Sequence, residues 1–376
     1  MAVTFWIFIP SQRQVFMKIL QVITSLRVGG AEKLIVDMVP LYREDGYEAD
    51  VLLFDGSDTP FKRELEEKGG RIFELDKNVN IYNPLFISKL IPYLKRYDVI
   101  HTHNTACQYF TVCAKMLTGS KVKLVTTEHS TTNRRRSIGW LRPVDRFIYG
   151  NYDSIISISD STTDFLGAYL GRKEKIRTIY NGIPLSAFLH AESLSREKLG
   201  TEGKFLITLV AGFREQKDQD TVIRAMAMLP ETCSLCLVGD GVRRSVCEQL
   251  VKELHLEQRV VFLGVRGDVP CLLKTSDVVV MSSHCEGFGL AAVEGMAAGK
   301  PGIASDVPGL AQVVSGAGIL FPVGDARRLA CEIARLMHHR DYYRQIAGQC
   351  LQRAFDYDIR KTADAYEKVY ESVYRA

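Results

Sequence analysis

The sequence predicts an α/β protein made of two Rossmann-like halves, and three observations carry that expectation. From Met17 onward, short apolar runs alternate with helical periodicity, the pattern of βαβ units on a parallel sheet. The cycle starts afresh after TIYNGIP, at 178–184. The length of 376 residues accommodates two domains at about 150 residues each.

In the first half, KILQVIT reads as a strand and EKLIVDMVPLYRED as a helix, and ADVLLF, RIFEL, DVIHTH, KLVTTEH and SIISIS read as further strands. In the second half FLITLVAG, SLCLVGDG, VVFLG, DVVVMSS and PGIASD are the strands, with helices from Asp220, through Val246 to Leu254, and near 290–298. The expected organisation is an extension at 1–16, an N-terminal domain at 17–183, a C-terminal domain at 184–357, and a helix at 358–376 that returns to the N-terminal domain. Residues 1–16 are read either as an extension or as a segment ahead of the true initiator. Asn181, Gly182 and Pro184 supply turn chemistry at the boundary, and Tyr366, Tyr370 and Tyr374 mark a packed face of the last helix. Two open sheets facing each other form a cleft at the C-terminal ends of their strands, where α/β proteins bind ligands.

With 46% apolar and 24% charged residues the chain is neither disordered nor a disulfide scaffold. Its formal charge is +4, which is no argument for nucleic acid. The window 115–146 holds eight basic residues (Lys115, Lys121, Lys123, Arg134, Arg135, Arg136, Arg142, Arg146) against Glu128 and Asp145, a net +6. Two readings stand for it, a patch for an anionic membrane surface or phosphorylated partner and an ordinary solvated loop. The nine cysteines are scattered, as in a reduced cytosol. Cys233 and Cys236, three apart on a strand, should face opposite sides as core thiols. No run approaches a membrane span, and VTFWIFIP lacks the features of a signal peptide. The expected location is therefore cytoplasmic.

The segment 282–305, SSHCEGFGLAAVEGMAAGKPGIAS, is the richest in chemistry. A strand ends at Ser282, a turn runs through Glu286 to Gly289, and a helix starts near Leu290, so backbone amides and a helix N-terminus are offered to an anion. Glu286 and Glu294 can address different parts of one extended ligand. Gly29 and Gly30 precede the first helix in the same way, without a full dinucleotide fingerprint. His101 and His103 share one face of a strand end with Asn104; lacking further ligands they read as cleft-lining or acceptor contacts rather than a metal pair. In DQD (218–220), Asp220 reads as an N-cap, and no metal is expected.

EGFGLAAVE resembles the E-x7-E signature of the retaining glycosyltransferases of family 4. The resemblance runs over nearly the whole chain from Met17, through RVGGAEK, HTHNT, TEH, IYNGI, QKD, VGDG and VVFLG in order and spacing. It implies a GT-B fold and transfer of a hexose from a nucleotide-diphosphate sugar to a saccharide or lipid-linked acceptor, with retention and without a metal or other cofactor. The setting it implies is capsule, exopolysaccharide or lipopolysaccharide synthesis, peripheral at the inner face of the membrane. By the same resemblance His129, Glu286 and Lys217 are catalytic. Glu286 holds hydroxyls of the donor hexose, Glu294 the ribose, and Lys217 the leaving diphosphate. The amides of Gly287, Phe288, Gly289 and Leu290 line sugar and phosphates, Val265 lies against the base, and Gly29 and Gly30 face the diphosphate from the opposite domain. His129 stands by the donor sugar, and His103, Asn104 and Arg134 lie on the acceptor side.

One departure concerns the phosphate. The family commonly carries an arginine five residues before the lysine, where this chain has Gly212; Arg214 is the candidate replacement. No carboxylate is placed as a covalent nucleophile, so front-face attack is favoured over double displacement. Alternatives are a nucleotide-sugar epimerase or a phosphorylase on the same fold, or a catalytically inactive nucleotide-sugar-binding scaffold.

Overall fold

Strand β1 (Lys18–Ile23) is buried along nearly its whole length, as a strand covered on both faces of a parallel sheet must be. The computed structural model describes residues 17–130, 136 and 138–376; the 1–16 extension, Arg134 and Arg135 lie outside the described residues. After β1 come β2 (Glu48–Asp55), β3 (Arg71–Asp76), β4 (Val99–Thr102), β5 (Lys123–Glu128), β6 (Ser154–Ser157) and β7 (Ile176–Thr178), in the spatial order β3-β2-β1-β4-β5-β6-β7. A second sheet holds β8 (Phe205–Val210), β9 (Cys233–Val238), β10 (Val260–Gly264), β11 (Val278–Met281), β12 (Gly302–Ser305) and β13 (Ile319–Phe321), ordered β10-β9-β8-β11-β12-β13. Pairings such as Ile19↔Ala49, Ile19↔Val99, Ile207↔Leu235 and Val279↔Gly302 are parallel, and helices make the crossovers.

Each sheet therefore starts in its middle and reverses direction once, between β1 and β4 and between β8 and β11. Such switch points leave a crevice beyond the strands' C-terminal ends. This is the α/β architecture of two Rossmann-like sheets that the apolar rhythm predicted.

The described residues divide into two compact units, one of residues 17–125 with 370–376 and one within 126–369. In the first unit a buried polar network lies under β1 and β4. His101 Nδ1 is 2.6 Å and Gln21 Nε2 3.0 Å from the Tyr370 hydroxyl, and His103 Nε2 is 2.7 Å from Gln21 Oε1. The two imidazoles stack with centroids 4.3 Å apart, so they share a face as their spacing requires. Tyr370 also meets Tyr42 edge-on at 5.7 Å.

In the second unit Cys233 packs into the main core with Leu235 and Leu237, whereas Cys236 packs on the other side of β9 with Leu206, Val238 and Leu272. Alternation of side chains along a strand separates them, and burial raises both thiols, Cys236 to about 11. They are core thiols.

Three expectations need correction. Tyr366 and Tyr370 are buried in the last helix (Ile359–Arg375), but Tyr374 is exposed, because the packed stripe continues through Val373 and leaves Tyr374 beside it. The helix Gln219–Met226 is capped by Asp218, not Asp220; it starts two residues before 221, and Asp218 accepts from Thr221 N at 3.2 Å while Asp220 pairs with Arg243. Arg136 does not belong to any surface patch: its guanidinium is buried 2.7 Å from Glu128, which also accepts from the Tyr149 hydroxyl at 2.5 Å. Among the described residues, no helix is long and apolar enough to cross a membrane.

Replacing Tyr370 with Phe removes the hydroxyl shared by Gln21 and His101. Urea unfolding should show a loss of about 1–3 kcal/mol, the cost of stranding buried polar groups, whereas Tyr374→Phe should leave the midpoint unchanged.

Candidate active site

The two strands that flank the second switch point deliver the most reactive pair of side chains. Beyond β8 the chain passes Ala211 to Arg214, makes one 3-10 turn over Glu215–Lys217, and enters the capped helix at Gln219. Beyond β11 it runs through Ser282 to Gly289 into the helix Leu290–Ala297. The two loops are stitched together. Ser282 Oγ donates to the Lys217 and Asp218 carbonyls at 3.1 and 2.7 Å, and the His284 amide donates to Gln216 O at 2.9 Å. His284 Nε2 lies 3.0 Å from Asp218 Oδ2. Asp218 is held at φ 47, left-handed for a residue with a side chain. Its cap and the His284 contact account for the retention of that conformation.

At the centre of this stitching Lys217 Nζ and Glu286 Oε2 form a short charge-assisted hydrogen bond, and Ser283 Oγ donates to the same carboxylate oxygen at 3.3 Å. Both side chains are largely buried, with 18% and 17% of their surface exposed, so they are weakly screened by solvent. A cation and an acceptor of paired hydroxyls thus sit together beside a helix N-terminus that has no side-chain cap, its N-cap being Gly289. That combination suits a ligand with a sugar hydroxyl edge and a phosphate.

Close backbone approaches set where the Glu286 turn lies. A side chain on Gly309 would run into the Glu286 carbonyl, so the helix Pro308–Val314 begins directly under the turn. A Cβ on Gly287 would stand 2.9 Å from the His129 carbonyl and 3.3 Å from Ile158. His129, just past β5, is thereby brought next to the Glu286 loop. Burial pushes its imidazole down to about 4, so the ring is neutral at physiological pH.

The other expected site residues are distributed as follows. A Cβ on Gly212 would make ordinary contacts only, 3.7 Å from the Asp240 carbonyl and 3.9 Å from Arg214 Nε, so the Arg214 guanidinium passes beside this position. Glu294 sits partly buried within the helix Leu290–Ala297. Val265 is exposed just beyond β10. The Phe288 ring is buried against Tyr180 and Tyr357, at 6.3 and 5.3 Å between centroids, which leaves only its backbone for a ligand. In the first unit, Gly29 is the N-cap of the helix Gly30–Glu44, with the Glu32 carboxylate folded over it. His103 is buried in the Gln21 network, and Asn104 Oδ1 accepts from Thr24 N at 3.3 Å. Arg134 is outside the described residues.

Sequence reasoning missed Ser283, His284, Asp218 and Gly309. Ser283 and His284 lie inside the quoted motif but carry no spacing signal of their own, and Gly309 acts through a contact 22 or more residues distant in the chain. Gln312 is a further such residue: its amide oxygen accepts from Asp160 N at 3.3 Å and its NH2 faces Asp160 Oδ2 at 3.5 Å. A glutamate there would oppose the Asp160 carboxylate.

Comparison with known proteins bears on the family and the fold. The family model described as "Glycosyl transferases group 1" matches residues 192–350, and "Glycosyltransferase Family 4" matches 28–187. N-acetyl-alpha-D-glucosaminyl L-malate synthase of Bacillus anthracis is 29% identical over 290 residues, covering 74% of this chain and 75% of its own. The O-antigen biosynthesis glycosyltransferase WclY of Escherichia coli is 24% identical over 323 residues, covering 83% and 89%. The crystal structure of Anabaena HepE in complex with UDP-glucose matches with a TM-score of 0.84 at 25% identity, over 95% of this chain and 100% of that one.

Two outcomes test the geometry. Gly309→Ala should displace the Glu286 turn and cost about 1–3 kcal/mol in denaturant titration, the usual price of overpacking. The His129 imidazole sits below its unfolded value, so its contribution to stability is complete above pH of about 6.5 and is lost as pH falls toward 4. His129→Asn should flatten that acid limb by at most about 3 kcal/mol, read from stability measured against pH.

Proposed function

The chain belongs to the group 1, family 4 glycosyltransferases and has their GT-B fold, and from that premise we propose that it moves a hexose from a nucleoside diphosphate sugar to an acceptor hydroxyl with retained configuration. The observation that carries the reading is the Lys217–Glu286 pair at the switch point between β8 and β11.

Without ligand, Lys217 and Glu286 neutralise each other. A donor offers each a better partner: its diphosphate draws Lys217, and its hexose hydroxyls engage the freed Glu286 carboxylate, which Ser283 keeps oriented. Arg214, whose Nε passes beside Gly212, adds the second cation, and the amides from Gly287 to Leu290 complete the anion cradle. These groups stabilise the charge that grows on the departing diphosphate, the largest electrostatic demand of the reaction, so no metal is required in this scheme. Glu294 takes the ribose hydroxyls and Val265 the base edge.

As the bond from the anomeric carbon to the diphosphate oxygen breaks, the sugar acquires oxocarbenium character. The acceptor oxygen bonds to the same face, and its proton passes to the departing phosphate oxygen. His129, neutral at working pH, serves as a hydrogen-bonding partner for the sugar rather than as a cation. HepE has been solved with UDP-glucose, which supports a UDP-hexose as the donor. The relatives are named for L-malate and for O-antigen; the O-antigen name supports the saccharide or lipid-linked acceptor, met at the cytoplasmic face of a membrane.

A thermal-shift screen of UDP-, GDP- and ADP-sugars should pick out one nucleotide by a rise in melting temperature. With that donor, Lys217→Ala and Glu286→Gln should each lower transfer about 100-fold or more, and a chelator should leave the rate unchanged. Wild-type turnover in both variants would refute the site. Product formed from donor alone would favour an epimerase.

A further inference from the structure

The helix Arg142–Gly150 buries one face and leaves a second apolar face in solvent. Asp145, Ile148 and Tyr149 point inward, and Asp145 accepts from the Tyr169 hydroxyl at 2.6 Å. On the outer side Trp140, Val144 and Phe147 follow at helical spacing, with 75%, 40% and 53% of their surface exposed, and Ile138 precedes them at 41%. An outward tryptophan on the 3-10 turn Gly139–Leu141 and a phenylalanine on the short helix that follows it find no use in the chemistry described above, and contiguous exposed apolar surface marks an interaction site.

Arginines frame this face. Arg142 donates to the Tyr169 and Ala168 carbonyls at 2.6 and 3.0 Å, and Arg172 donates to the Arg146 carbonyl at 3.0 Å. The Arg146 guanidinium lies over Gly171, at the end of the helix Asp160–Leu170. Carbonyls fix Arg142 and Arg172 in place but do not neutralise them, and among the described residues no carboxylate pairs with Arg142, Arg146 or Arg172. Between the last two opens a recess of about 390 Å³ lined by Arg146, Phe147, Leu170, Gly171 and Arg172. It offers two cations and a phenyl edge to one ligand.

We propose that this face docks the protein on an anionic lipid bilayer, with Trp140 and Phe147 entering the interface and the Arg146/Arg172 recess taking a lipid phosphate. The composition fits that occupant: interfacial helices combine Trp, Phe and Leu with Arg or Lys, and neither signal alone gives lasting attachment. The surface differs from the one the charge count implied. Arg136 is spent on Glu128, and Arg172 lies outside the basic window. The proposal deepens the lipid-linked form of the reading above, since a bilayer-bound enzyme meets its acceptor in two dimensions.

The test is flotation of the full chain with vesicles of phosphatidylglycerol and phosphatidylethanolamine, against vesicles of phosphatidylcholine. Wild type should float with the first and not the second, and raising salt from about 0.1 to 0.5 M should weaken but not abolish binding. The double variant Arg146→Glu/Arg172→Glu should lose about fivefold or more per arginine in partitioning, and Trp140→Ser/Phe147→Ser about tenfold or more. The single variant Trp140→Ser serves should the aromatic pair misfold. The donor-induced thermal shift must survive in each variant, which separates failure of docking from failure of the donor site. Absence of wild-type flotation, or equal flotation of the variants, overturns the proposal. So does light scattering showing a dimer that the aromatic variant dissolves, because the face then belongs to a second copy of the chain.

Discussion

Parallel strand pairing is the constraint on which the rest of this protein depends. A parallel partner is reached only by crossing over a face of the sheet, so every strand runs the same way and every strand C-terminus lies along one edge. In the six-stranded sheet the order reverses between β8 and β11, and the crossover helices on either side diverge there. Lys217 and Glu286, 69 residues apart in the chain, meet because each follows one of those two strands. The Ser282 hydroxyl and the His284 amide then hold the two loops in one geometry.

A second level of organisation is electrostatic. The pair at the switch point is preassembled and neutral, so neither charge is stranded in a poorly solvated site. A ligand carrying both anionic oxygens and hydroxyls exchanges partners with both members at once, whereas one carrying only a phosphate would leave Glu286 beside it unpaired. In the proposed reaction, discrimination between a sugar nucleotide and a bare nucleotide would therefore rest on the carboxylate as much as on the lysine. His129, neutralised by burial, adds hydrogen-bonding capacity without altering that charge balance.

Charge elsewhere is arranged by the same rule. Arg136, buried with Glu128 and Tyr149, serves the fold. Arg172, held by the Arg146 carbonyl, and Arg146, whose guanidinium lies over Gly171, face outward and leave their charge available. A count along the chain adds these together; only their surroundings separate a structural cation from a surface one.

The sequence by itself determined the layered α/β architecture, because alternation of apolar runs with helical periodicity is a local property of the chain. It likewise determined that Cys233 and Cys236 face opposite sides and that His101 and His103 share one, since side-chain direction along a strand is a matter of parity. The turn from Glu286 to Gly289 was legible from its glycines, and the role of Glu286 from the family motif. Tertiary structure alone decided what those residues meet. That Lys217 pairs with Glu286, that Gly309 must lack a side chain to seat the turn, and that His103 and Phe288 turn inward all depend on contacts between segments distant in sequence. Such contacts arise from packing between elements, and no periodicity within one element encodes them.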